Sequence, residues 1–158
     1  MNKKPYIIAF FFFVIDLISK QVINQIMNIG ESVKVINNFF YITYTHNKGA
    51  AWSILEDQRI LLLIISVIVL FLINKFMNKE KLNKLESLSY GMIIGGIVGN
   101  LFDRIFLGYV IDFIDFRIFG YNYPVFNLAD SFIVIGIIIM AIISIRKEYY
   151  ERSRSKRK

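Results

Sequence analysis

The sequence predicts an α-helical integral membrane protein, with four transmembrane helices, a small extracytoplasmic β-sheet and a short interfacial helix. Three observations predict it. Apolar segments at about 6–27, 60–77, 85–107 and 128–145 each approach the ~20 residues a spanning helix needs. Lysine and arginine fall mostly between these segments rather than inside them. Two of the gaps alternate β-branched and aromatic residues with polar ones, which is a strand pattern. With 56% hydrophobic residues and a mean hydropathy of +0.52, the 158-residue chain is more apolar than a soluble domain of its length. It reads as a single membrane-embedded domain over 1–158.

The first segment follows Lys3 and Lys4, as the apolar core of a signal peptide would. No small-residue cleavage site comes after it, and Asp16, Ser19 and Lys20 continue a helical pattern, so it is a retained helix. The following gap holds "SVKVI", punctuated by Asn37-Asn38, and then "FFYITYT": a hairpin signal. "GAAWSIL" next forms the interfacial segment, with Trp52 at headgroup depth. The second gap carries Lys75, Lys79, Lys81 and Lys84. In the third, "YVIDFIDFRIF" places Val110, Asp112, Ile114 and Phe116 on one strand face and Ile111, Phe113, Asp115 and Arg117 on the other. Gly120 and Pro124 turn the chain back into the last segment. The tail 146–158 has seven Lys/Arg against Glu148 and Glu151 and is expected to fray. Basic and near-neutral gaps alternate, which puts both termini and the 75–84 loop in the cytoplasm.

Composition excludes several chemistries. There is no cysteine, hence no disulfide, thiol nucleophile or thiolate metal site, and a single histidine, His46, cannot build a zinc site or a histidine-based triad. No metal and no cofactor is expected. The net charge of +7 lies in the gaps rather than on one folded face, so nucleic acid is not a partner.

The informative residues are polar ones in apolar surroundings. Asp130 enters the fourth segment, where burying a charge costs roughly 2.5–3.5 kcal/mol on insertion scales. Asp16 and Lys20, four apart, share a face and can neutralise one another. In "GMIIGGIVGNLFDR", Gly91, Gly95 and Gly99 form a stripe that lets another helix approach and that continues to Asp103. Gly96, Asn100 and Arg104 form the adjoining stripe. Asp112 and Asp130 can converge at the outer interface with Asn47, Asn100, Arg104 and Asn127 around them. Two aspartates in contact do not both ionise, so one is an acid while the other is a base that activates water. Asp103 and Asp115 compete for that role, the first otherwise a partner of a nearby arginine and the second a solvated loop charge. The alternative class is a small proton-coupled transporter or channel using Asp16, Lys20, Asp103 and Asp130 as a relay. A Ser/Lys peptidase would need a serine beside Lys20, and Ser19 does not face it. A non-catalytic assembly protein leaves the outer polar cluster without a purpose.

The chain resembles the lipoprotein signal peptidases (signal peptidase II), bacterial aspartic peptidases embedded in the membrane. The resemblance rests on "DLISK" at 16–20, "NKGAAWS" at 47–53, "GGIVGNLFDR" at 95–104, "VIDF" at 110–113 and "FNLAD" at 126–130, in the family's order. Trp52 departs from the phenylalanine the family commonly has. The resemblance implies removal of the signal peptide from diacylglyceryl-modified prolipoproteins, cut on the amino side of the lipidated cysteine. It implies Asp112 and Asp130 as the catalytic pair, with Asn47, Gly49, Asn100, Arg104, Asn127, Asp16 and Lys20 as the supporting polar shell. Prolipoproteins and membrane lipids are the expected partners, and the enzyme is expected to be monomeric, in the plasma membrane with its site near the extracytoplasmic face.

Overall fold

The structure, a computed structural model, describes residues 2–49, 55–78, 81–118 and 120–155. Its elements in chain order are α1 (Lys4–Ile26), β1 (Ser32–Ile36), β2 (Phe40–Asn47), α2 (Arg59–Met77), α3 (Lys84–Phe106), β3 (Val110–Ile118), β4 (Tyr121–Asn122) and α4 (Leu128–Ser155). The four helices are each long and apolar enough to cross a membrane. The expected interfacial segment with Trp52 lies largely outside the described residues.

α3 is the hub, packed against each of the other three helices. Mean hydropathy reaches 1.9, 2.7 and 2.6 in α1, α2 and α4 but only 1.2 in α3. That helix is surrounded by protein, so its glycines, Asn100 and Asp103 face neighbours rather than lipid. A Cβ on Gly95 would come within 2.6 Å of the Ala9 carbonyl oxygen on α1, and one on Gly96 would overlap the Ala129 carbonyl oxygen on α4. The two adjoining stripes therefore set α1 and α4 against two sides of α3.

Caps define where the helices begin. Asn83 accepts the Glu86 N–H at 2.8 Å and the Glu86 carboxylate accepts the Asn83 N–H at 2.8 Å, closing a capping box on α3. Asn127 and Asp130 do the same for α4: Asn127 Oδ1 accepts the Asp130 N–H at 3.0 Å, and Asp130 Oδ2 accepts the Asn127 N–H at 3.2 Å. The tail is not frayed where it is described. α4 continues to Ser155 because Lys147 pairs with the buried Glu86 of α3 at 2.6 Å and Arg152 pairs with Glu148 one turn back at 2.5 Å.

The sheet runs β1-β2-β3-β4, antiparallel throughout. The β1–β2 turn uses Asn38 in the left-handed region at φ 57°, and Gly120 at φ 79° leads into the short β4. Ile111 and Phe113 on one face of β3 pack with Ile23 and Met27 from the end of α1 and with Tyr44 of β2. This cluster seats the sheet on the helices. It also fixes the register in which Asp112, on the other face, stands opposite Thr45.

Candidate active site

The opposite face of β3 and the first turns of α4 bound a cleft of about 610 Å3, into which Asp112 and Asp130 both point together with Asn47, Asn100 and Arg104. Its remaining wall is apolar, with Val110, Phe126, Ile133, Val134 and Ile135 among the lining residues.

Asn127 joins the two carboxyls. Its side chain donates from Nδ2 to Asp112 Oδ1 at 2.7 Å, while its backbone N–H donates to Asp130. It is fully buried, so this orientation is held from all sides. The other Asp112 oxygen accepts from Asn47 Nδ2 at 2.9 Å, and Asp130 Oδ1 accepts from Asn100 Nδ2 at 2.7 Å. Each carboxyl thus has an amide donor on both oxygens. Burial, and after it the charge of Asp130, push the Asp112 carboxyl up to about 7, against the opposing pull of the Asn47 and Asn127 amides.

Arg104 does not touch either carboxyl directly among the described contacts. Its guanidinium donates from Nη2 to the Gly49 carbonyl at 2.8 Å and from Nη1 to the Asn100 carbonyl at 3.3 Å. Gly49 in turn donates its N–H to Asn47 Oδ1 at 2.8 Å, fixing the Asn47 amide with its NH2 toward Asp112. Arg104 and Gly49 therefore act on the pair through Asn47 and Asn100.

Lys20 reaches Asp16 at 2.7 Å, as expected from their spacing, and also Asp103 at 3.0 Å and Asn100 Oδ1 at 2.9 Å. Two expectations are corrected here. Asp103 is the partner of Lys20, not of an arginine, because it lies on the glycine face turned toward α1 while Arg104 lies on the cleft side. Asp115 is buried rather than solvated: Thr43 Oγ1 of β2 donates to it at 2.8 Å and Arg117 pairs with it at 2.9 Å. The groups suggested as a transport relay form one contiguous network around the cleft instead. The described contacts of Lys20 include no serine, and Ser19 donates to the Asp16 carbonyl. His46 stacks on Tyr109 and contacts the Tyr44 hydroxyl at 2.9 Å, so the lone imidazole belongs to the sheet's packing.

Two contributors escaped the sequence reading. Asp103 was visible as the end of the glycine stripe, but its partner was not. Gly99 was read as packing alone, although a Cβ there would overlap the Asp16 carboxylate, so its absence makes room for a charged group.

Two carboxyls facing one cleft among four spanning helices is the arrangement of a membrane-embedded aspartic peptidase. Comparison with known proteins gives the particular family. The signal peptidase (SPase) II family model, Peptidase A8, matches residues 8–146. Two solved structures, each described as a bacterial membrane enzyme determined by the in meso method, are similar throughout. The one at 2.3 Å resolution is 36% identical with a TM-score of 0.85, covering 94% of this chain and 91% of its own. The one at 1.9 Å is 38% identical with a TM-score of 0.80, covering 90% and 93% respectively. The chain belongs to the signal peptidase II family, and its activity is the removal of signal peptides from lipoproteins.

Proposed function

We propose that Asp112 and Asp130 are the catalytic pair and that they hydrolyse the bond on the amino side of the diacylglyceryl-modified cysteine of a prolipoprotein. The observation that carries this is Asn127, which donates to both carboxyls at once. Asp112, with its carboxyl raised to about 7, still carries its proton in a substantial fraction of molecules at neutral pH and delivers it to the scissile carbonyl oxygen. Asp130 is then the base that takes a proton from the attacking water. Asn47, Gly49, Asn100, Arg104, Asn127, Asp16 and Lys20 support the pair. The chain acts as one domain and as a monomer.

The apolar wall at Ile133, Val134 and Ile135 suits the acyl chains of the substrate, with Val134 and Ile135 also open toward the lipid. A test is to compare a diacylglyceryl-modified peptide with the same peptide carrying a free cysteine. The unmodified peptide should be cleaved far more slowly in detergent; equal rates would sink the lipid-recognition reading.

Arg104→Lys should lower turnover by about 10-fold or more, because a single ammonium cannot hold the Gly49 and Asn100 carbonyls in one plane as a guanidinium does. Near-normal turnover in a folded Lys variant would reduce Arg104 to a helix-end anchor.

Both termini are cytoplasmic in this reading, and the sheet and cleft lie on the extracytoplasmic side. The chain lacks cysteine, so single introduced cysteines report position cleanly. Lys34→Cys, on the exposed β1, should be labelled from outside intact cells. Lys81→Cys, in the exposed loop before the Asn83 cap of α3, should be protected until the membrane is opened. Outside labelling at 81 would reverse the orientation.

A further inference from the structure

Two carboxylates outside the proposed catalytic pair make the same kind of contact. Asp16 Oδ1 accepts the backbone N–H of Ala129 at 2.9 Å, and Asp103 Oδ2 accepts the backbone N–H of Ile111 at 3.2 Å. Ala129 immediately precedes Asp130, and Ile111 immediately precedes Asp112. Both carboxylates close on one cation, Lys20, which lies 2.7 Å from the first and 3.0 Å from the second. All three residues are at most 2% exposed. The two N–H groups need such acceptors. Ala129 sits in the first turn of α4, where N–H groups have no helical partner. Ile111 lies where β3 has β2 on one side, while Phe126 supplies its acceptor only from Phe113 onward.

A buried ionic triad is weak as a source of stability, because apolar side chains of similar volume often do as well or better. What apolar side chains cannot do is hold two backbone segments at a fixed spacing through one shared cation. We propose that Asp16, Lys20 and Asp103 form a positioning clamp that sets the separation of the two catalytic carboxyls by gripping the backbone immediately before each. The inference rests on reading Asp112 and Asp130 as the catalytic pair. Gly99 is part of the device, since only a residue without a Cβ leaves room for the Asp16 carboxylate between α1 and α3.

Asp16→Asn and Asp103→Asn each test one arm. Asparagine keeps an oxygen for the backbone N–H but loses the ionic attraction to Lys20, so one arm slackens while Lys20 stays paired through the other. Each variant should lose kcat by about 10- to 100-fold, the scale of a sub-ångström to ~1 Å misplacement, with KM little changed. The pH–rate profile gives a second readout. The spacing of its two limbs measures coupling between the catalytic carboxyls, so carboxyls moved apart narrow the bell. A changed net charge shifts both limbs the same way; the charged groups around the pair that could do so are Asp16 and Lys20 of α1 and Asp103 and Arg104 of α3, with Tyr44 of β2 beyond Asp103. Asp112→Asn serves as the comparator, because its retained activity would remove the catalytic reading itself. With that variant inactive, a folded Asp16→Asn or Asp103→Asn enzyme with wild-type kcat and bell width would overturn the clamp. Failure of both clamp variants to fold would also overturn it, by making the triad a folding element.

Discussion

Asp112→Asn and Asp130→Asn are each expected to reduce cleavage of a diacylglyceryl-modified peptide on the order of 10²–10⁴-fold, the range for losing a general acid or base. Asparagine keeps the shape and one acceptor oxygen, but it turns its NH2 toward one of the two N–H donors that each carboxyl meets, and it cannot take or give the proton. Combining the two changes should cost little more than either alone, because the pair acts as a unit. In the wild type, turnover should fall as pH rises past about 7, where Asp112 loses its proton and no acid remains. It should also fall on the acid side, where the base becomes protonated, giving a bell whose limbs belong to the pair. Stability carries an independent sign. Burial lifts the folded Asp112 carboxyl from 3.8 to about 7, so the folded chain binds that proton more tightly than the unfolded one. Stability from this group is present below about pH 4 and is lost as pH rises through 7. Asp112→Asn removes this titration, so its melting temperature relative to wild type should rise as pH goes from about 4 to 8. Chelators should leave wild-type turnover unchanged. Substantial activity in either single variant, confirmed as folded, would remove the mechanism.

Much of this arrangement is legible in the sequence because membrane physics makes polar residues conspicuous. Four apolar segments gave the helices to within about two residues at most ends, since burial in lipid leaves little choice of backbone structure. The alternation in "YVIDFIDFRIF" put Asp112 on the correct face because side chains on a strand alternate with a period of two. The apparent freedom of the tail was misread because its stabilising partner, Glu86, lies about sixty residues away in the chain. The same limit hid Lys20 as the partner of Asp103 and Thr43 as a partner of Asp115. Charge spacing within one helix shows Asp16 beside Lys20, but only tertiary packing brings Asp103 to the same ammonium. A local pattern reports what shares a face, and packing decides what that face meets.

Asn127→Asp is the substitution that separates the bridge from the cap. Asn127 performs two tasks with two atoms: Oδ1 caps α4 by accepting the Asp130 N–H at 3.0 Å, and Nδ2 donates to Asp112 at 2.7 Å and to Asn100 Oδ1 at 3.1 Å. Aspartate caps a helix as well as asparagine does, so α4 should start at the same residue. It has no NH2, however, and would set an oxygen against the Asp112 and Asn100 oxygens in a site with no exposure at that position. If ionised, the new carboxylate repels the pair; if protonated, its single O–H can satisfy only one of the two acceptors. Turnover is expected to fall on the order of 10²–10³-fold, as when one preorganised donor is removed from a catalytic site. Asn127→Ser keeps a good cap and introduces no charge, so it should lose less. The measurement is single-turnover cleavage of the lipidated peptide by both variants after thermal melting shows them folded. An Asp variant as active as the wild type would mean that Asn127 serves only the helix, and the shared donor would cease to be the link between the two aspartates.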